Sequence, residues 1–410
     1  MAESSGPLSG YRILDLSSVI MGPYATQILA DLGADVIVVE SATGDTNRIM
    51  SAGAVAGLGG IALNISRNKR NVALDLKEPQ AREAVLRLAA TCDAVVTNLR
   101  PKSLRSLRLT YADIAEVRPD IVYCQAAGFA SDSPRADDPA YDDVIQAASG
   151  VADLFGRVMG RPGLAPTIMA DKVCGLTIVY AVLAALLQRE RDGRGQQIEV
   201  PMVETMSAFM LVEHGADAVS AGGAPGYKRI LTPNRRPQET ADGWIHILPY
   251  TSAHYETIFS VGGRDDLAGD PRYADLRACI VNSDFLYEAV QSVTPLFTTA
   301  EWLQVCERNG IPSTPVTTLE ELVDRLPVAE HPVAGPYRSI PAPVRFSSGP
   351  TTIRRHAPLP GEHTREVLTE IGLDPAVVDR IAGPAADPEP IDIPISTRAD
   401  ATAAVLTKEH

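Results

Sequence analysis

The chain has 410 residues, a formal net charge of −14 and a pI near 5.0. That balance excludes a general nucleic-acid binder, which needs a basic face, and leaves anion binding to local basic clusters. The length exceeds the usual size of one hydrophobic core, so two domains are expected.

The first half alternates strand and helix. Tyr11 to Leu16 is a short apolar run, and Gly22-Pro23 opens a helix with proline at its first position. Val36 to Val39 is a continuous β-branched run, the mark of a strand buried on both faces of a parallel sheet. Val72 to Leu76 is the next strand, and Pro79 starts a helix carrying Ala81, Ala84, Val85 and Leu88. Ala94 to Val96 and Ile121 to Cys124 complete a doubly wound α/β pattern, a Rossmann-like large domain. A further helix begins around Asp171, continues through an apolar stretch to Leu187 and ends before Gly193-Arg194-Gly195-Gln196.

From Val212 to Thr240 the order breaks down, because the glycines and proline of 220–227 remove helix propensity and donors. Beyond it, Gly243 to Leu248 reads as a strand, and helices are predicted over His254–Val261, Ser283–Val293 and Thr299–Asn309, a smaller α+β domain. Prolines 327, 332, 336, 341 and 343 then mark an extended crossing linker. Thr364 to Leu373 is again an amphipathic helix, and the proline-rich chain after Pro384 reads as a mobile or partner-draped tail. The resulting division is 1–212 large domain, 213–240 linker, 241–326 small domain, 327–345 linker, 346–384 C-terminal part of the large domain, and 385–410 tail.

Five scattered cysteines (Cys92, Cys124, Cys174, Cys279, Cys306) without a Cys-x-x-Cys fit buried thiols in a reducing compartment. The segment Met1 to Gly6 has no basic and apolar signal. The apolar run 173–187, with Gly175 and Thr177 inside it, is shorter than a membrane span. A cytoplasmic soluble protein with no membrane partner is therefore expected. His214, His246, His254, His331, His356 and His363 are dispersed without zinc-ligand spacing, so no metal is expected.

Asp171 is the candidate with most chemistry. Free N–H groups and the helix dipole favour an anion at a helix start, which predicts a carboxylate ionised near neutral pH and able to act as a nucleophile. An ordinary N-cap aspartate is the competing reading.

What separates the two is the order of short segments along the chain. Ile13-Leu14-Asp15-Leu16 leads to Gly22-Pro23, then Leu32-Gly33-Ala34-Asp35-Val36-Ile37-Val38-Val39-Glu40, Asn68-Lys69-Arg70 before Leu74-Asp75-Leu76-Lys77, and Asn98-Leu99-Arg100-Pro101. Tyr141, Asp171, Gly193-Arg194-Gly195-Gln196, Gly310-Ile311-Pro312 and Gly361-Glu362-His363-Thr364 follow. In this order the chain resembles the family III CoA-transferases over roughly residues 8 to 380. That group includes the formyl-CoA and carnitine CoA-transferases, with the α-methylacyl-CoA racemases as a branch.

The resemblance implies an interlocked homodimer, in which linkers thread two chains and each large domain is completed by its own C-terminal segment. It implies coenzyme A as part of the substrate, an acyl-CoA, with Asp171 as nucleophile and Tyr141 beside it. The racemase branch carries a histidine at the tyrosine position, and a phenol, which ordinarily titrates near pH 10, is a poor base for α-proton transfer. Val19, Ile20 and Met21 match the loop that lines the CoA pocket, although Ile20 replaces a glutamine of formyl-CoA transferase and offers no hydrogen bond to a small dianion. Asn68, Lys69 and Arg70, together with Asn98, Arg100 and Arg105, are the basic strand-edge groups expected to meet the CoA phosphates. Gly175 would let the Asp171 helix approach the substrate, and Thr364 or Glu362 would cap the final helix.

The expected activity is transfer of CoA from an acyl-CoA thioester to a free carboxylic acid through an aspartyl anhydride. Three alternatives remain. One is an acyl-CoA racemase or epimerase of the same family. Another is an NAD-dependent oxidoreductase, in which Glu40 would contact a ribose, although Ser17 to Pro23 lacks Gly-x-Gly-x-x-Gly. The third is a non-catalytic CoA-binding protein.

Overall fold

The computed structural model describes residues 6–220, 222–349 and 351–382; the tail expected at 385–410 lies outside them. The chain forms two compact units. One takes the chain up to Asp142, Met169–Thr205 and the chain from Leu326 onward, and the other takes Asp143–Ile168 and Met206–Arg325. These boundaries differ from the expected ones: 143–168 and 213–240 both belong to the second unit.

In the first unit six parallel strands run in the order β3-β2-β1-β4-β5-β6. They are β1 (Arg12–Asp15), β2 (Asp35–Glu40), β3 (Lys69–Ala73), β4 (Ala94–Thr97), β5 (Val122–Ala127) and β6 (Gln196–Pro201). This is the doubly wound order, in which the chain moves outward from β1 in one direction and from β4 in the other. Loops after β1 and β4 therefore diverge and leave a crevice at the carboxyl ends. Helices carry the apolar residues that cover the sheet: Val85 and Leu88 of Pro79–Ala89 are buried with Leu14, Ile37, Val95 and Tyr123. Val367, Leu368 and Val378, from helices Thr364–Glu370 and Pro375–Ala382, enter that same cluster.

Strand β3 starts three residues before the expected Val72, because the returning C-terminal segment pairs with its edge. Asn68 donates its N–H to the Arg355 carbonyl (3.0 Å), and His363 donates to the Asn71 carbonyl (2.9 Å). Gly361 donates to Asn71 Oδ1 (2.6 Å), and Ala73 donates to Thr364 Oγ1 (3.0 Å). The Gly361-Glu362-His363-Thr364 motif thus satisfies an otherwise open sheet edge. It does not cap the helix Thr364–Glu370, whose N-cap residue His363 makes no side-chain capping bond. The proline-marked stretch is also more ordered than an extended linker: β10 (Val328–His331) and β11 (Gly335–Arg338) form an antiparallel hairpin. His331 Nδ1 holds its turn by accepting the N–H groups of Val333 (3.1 Å) and Ala334 (3.0 Å).

The second unit is α+β. Strands β7 (Gln238–Glu239), β8 (Trp244–Ile247) and β9 (Ser313–Pro315) form an antiparallel sheet. Ile245 and Ile247 alternate inward from β8 onto Tyr255, Phe259, Val290 and Trp302. All five cysteines are buried and unbridged.

Candidate active site

The crevice is built first by the loop after β1. Asp15 is wholly buried and accepts from the Ser17 N–H (2.9 Å), the Ser17 and Thr26 hydroxyls and the Lys69 ammonium (3.3 Å). Gly22 is required where the next helix begins, since a Cβ there would lie 2.2 Å from the Ser17 side chain. Ser18 is tied to β4 by Asn98, which accepts its N–H (2.9 Å) and donates to its carbonyl (2.8 Å). Val19 adopts φ = 67°, a left-handed conformation that costs a β-branched residue on the order of 1–3 kcal/mol. It is held there from the other side, with its N–H donated to Asp45 (3.0 Å) and its carbonyl accepting from Asn47 (3.1 Å). The helix Met21–Asp31 then starts at Ile20 with no side-chain cap among the described residues, leaving its first N–H groups open to an anionic ligand.

The second wall is the long helix Met169–Asp192, in which Asp171 is the third residue. At 24 residues this helix is longer than the sequence suggests and is apolar enough to cross a membrane, but one face (Cys174, Ile178, Val182, Leu186) is buried in the first unit. Gly175 serves a helix crossing and not the expected substrate approach: a Cβ there would sit 2.9 Å from Tyr24 and 3.0 Å from the Met21 carbonyl. The two helices that open on the crevice are thereby fixed against each other.

Asp171 does not have the low proton affinity expected of a helix-start carboxylate. Burial, and then the negative charge of Asp142, push its pKa up to about 6. Asp142 Oδ1 accepts the Asp171 N–H at 2.9 Å. The carboxylate is still ionised at neutral pH, and it is more basic than an ordinary aspartate.

Val19, Ile20, Met21, Asn98, Arg100, Tyr141 and Asp171 line one cavity of about 260 Å³ at the carboxyl end of the sheet. Ser103, Asp138 and Met202, which sequence reading passed over, line it too. The only cue to Met202 is its place just after β6. Arg105 stands outside the cavity lining, paired with Asp137 at 2.9 Å; Asp137 also accepts the Lys102 N–H at 2.6 Å. These contacts tie the loop leading to Tyr141 onto the helix Pro101–Leu107.

Asn68, Lys69 and Arg70, expected to meet CoA phosphates, do not line this cavity and stand at the amino-terminal end of β3. Asn68 accepts from the N–H groups of Arg354 (2.6 Å) and Arg355 (3.0 Å) and donates to Asp31 (2.7 Å). Lys69, 1% exposed, lies inside the fold on Asp15, Thr26 (2.8 Å) and the Pro23 carbonyl (2.8 Å). Arg70 pairs with Asp35 (2.6 Å), Glu366 (3.1 Å) and Glu370 (2.6 Å). A charge run that reads as a phosphate clamp is thus engaged in ion pairs, internal for Lys69 and with partly exposed carboxylates for Arg70. Glu40 likewise fails as a ribose ligand, because Arg48 (2.6 Å), Asn71 (2.5 Å) and the Asp45 N–H (2.8 Å) engage its carboxylate.

The sequence model of CoA-transferase family III matches residues 8–364. The chain belongs to CoA-transferase family III. Among the members it is similar to, the succinate–glutarate CoA-transferase of Agrobacterium fabrum is 30% identical over 404 residues, covering 94% of this chain and 99% of the relative. The succinyl-CoA:glutarate CoA-transferase of mouse is 31% identical, covering 90% of this chain and 87% of the relative. The crystal structure of a CaiB/BaiF family protein from Brucella suis superposes with a TM-score of 0.77 at 28% identity, over 90% of this chain and all of that one.

Proposed function

We propose that this family III CoA-transferase exchanges CoA between carboxylic acids through a covalent intermediate at Asp171. The observation that carries the reading is the position of a half-buried, ionised carboxylate in a cavity formed at the strand-order reversal. The Asp171 oxygen attacks the thioester carbonyl; the C–S bond breaks, CoA leaves as thiolate, and a mixed anhydride joins Asp171 to the acyl group. Attack of the thiolate on the aspartyl carbon releases the donor acid and leaves an aspartyl–CoA thioester. The acceptor carboxylate repeats the sequence in reverse, so no atom changes oxidation state and Asp171 is regenerated. A serine ester would hold the acyl group too stably for this exchange.

CoA enters over the helix Pro101–Leu107, where Arg100, Lys102 and Arg105 meet its phosphates, and its thioester reaches the Val19–Met21 loop. Short dicarboxylic acids are the substrate class, on the named activities of the relatives above. The racemase reading is disfavoured, because no imidazole lines the cavity among the described residues. The functional unit is a homodimer: Leu176, Tyr180 and Leu187 of the long helix are each more than half exposed in the single chain, an apolar stripe that a second copy would cover.

The test is acyl exchange with succinyl-CoA and glutarate. Asp171→Ala abolishes exchange while leaving the fold intact, and hydroxylamine with succinyl-CoA marks wild-type Asp171. Retained exchange in Asp171→Ala overturns the reading.

A further inference from the structure

Asp142 is 6% exposed and lies outside the cavity lining, yet it reaches the nucleophile from 29 residues upstream. It opens the helix Asp142–Ala148, immediately after Tyr141, and its Oδ1 accepts the main-chain N–H of Asp171. That N–H is one of the four that a helix start leaves without an intrahelical acceptor. A neutral side chain could accept it as well; an aspartate adds a full negative charge beside another carboxylate, at an electrostatic cost.

We infer, on the reading of Asp171 as nucleophile, that Asp142 is a positioning residue: its Oδ1 fixes the start of the nucleophile helix and its charge faces the Asp171 carboxylate. The other ionisable groups near Asp171 are Lys172, next in the chain, Cys174 one turn on, and Asp138, Tyr141 and Arg100 around the cavity. Asp138 is paired with Arg135 at 3.0 Å. Asp142 is the neighbouring charge that raises the proton affinity of Asp171. A more basic carboxylate attacks a thioester faster, and it is also the poorer leaving group from the anhydride. Attack of the thiolate at the acyl carbon must expel Asp171 and is thereby disfavoured against attack at the aspartyl carbon, which expels the donor acid, and the charge of Asp142 sets the balance of the two attacks.

The experiment compares wild type, Asp142→Asn and Asp142→Ala in pre-steady-state acylation by succinyl-CoA between pH 4.5 and 8. Asp142→Asn keeps an acceptor and removes the charge. Its half-maximal pH is expected to move down by about one unit, with a plateau lowered roughly threefold and KM for succinyl-CoA within about twofold of wild type. Asp142→Ala shows the same shift and a further fall in plateau, since the Asp171 N–H loses its acceptor. A second readout needs no catalysis: the pH at which the melting temperatures of Asp171 and Asp171→Asn proteins diverge moves down equally when Asp142 is asparagine. An unmoved midpoint in Asp142→Asn, by either readout, overturns the inference. Failure of the underlying nucleophile reading shows separately, as exchange retained in Asp171→Ala. If Asp142→Ala does not fold, Asp142→Asn decides alone.

Discussion

Asn98 and Ser18 exchange two hydrogen bonds across the point where the strand order reverses, the Ser18 N–H to Asn98 Oδ1 at 2.9 Å and Asn98 Nδ2 to the Ser18 carbonyl at 2.8 Å. The side chain that sequence reading assigned to CoA is thus occupied in holding the loop that lines the cavity. With Asp45 and Asn47 clamping Val19 from the β2 side, it keeps a strained segment in the one conformation that directs the chain into the first helix.

Asn98→Ala is expected to raise KM for acyl-CoA severalfold and to cost about 1–3 kcal/mol of stability, because two part-buried main-chain groups lose partners. Asn98→Asp can still accept the Ser18 N–H but sets its charge against the Ser18 carbonyl. It should be no better than alanine in steady-state kinetics, whereas a direct CoA contact alone would leave stability in both variants at the wild-type value.

The raised pKa of Asp171 sets a pH window. Its proton is lost near pH 6 in the folded protein but near 3.8 in an ordinary aspartate, so the folded state holds the proton more tightly. The protonated form contributes stability at low pH, and that contribution is lost as pH rises through 6. Asp171→Asn should therefore match wild type below about pH 4 and exceed it above pH 6, by on the order of 1–2 kcal/mol after allowance for partial solvent screening. Melting curves across pH check this. The acylation rate of wild type should climb through about pH 6 and then level off.

Lys69→Met removes the ammonium that faces buried Asp15 and leaves an uncompensated carboxylate, at a cost of roughly 3–5 kcal/mol. The folded fraction should bind CoA with wild-type affinity and the same salt dependence. Calorimetry showing weakened, salt-insensitive binding by a fully folded variant would return Lys69 to the CoA site.

Sedimentation should find a dimer at micromolar concentration, and Leu176→Glu with Leu187→Glu should compromise it, since both positions expose apolar side chains on one helix face. A wild-type monomer with transferase activity would contradict the dimeric functional unit.

Much of this protein was legible in the sequence. The β-branched run Val36 to Val39 and the apolar runs before Asp15 and Thr97 specified a buried parallel sheet, because strands covered on both faces carry no polar alternation. The ordered segments from Ile13 to Thr364 specified the family, and with it the loop Val19–Met21, Asn98, Arg100, Tyr141 and Asp171, all of which meet in one cavity. What sequence left open was partnership. Local charge does not reveal whether a lysine faces solvent or a buried aspartate, and Lys69 became an internal ion only because β1 and β3, two strands apart in the sheet, place Asp15 within its reach. The same holds for Thr364 and His363, which serve a strand edge from 291 and 292 residues away. It holds for Asp142, which meets Asp171 only where the fold brings its carboxylate onto the Asp171 N–H, 29 residues on in the chain. Helix position alone predicted a readily ionised aspartate; desolvation and a second carboxylate, both consequences of tertiary packing, raised its proton affinity instead.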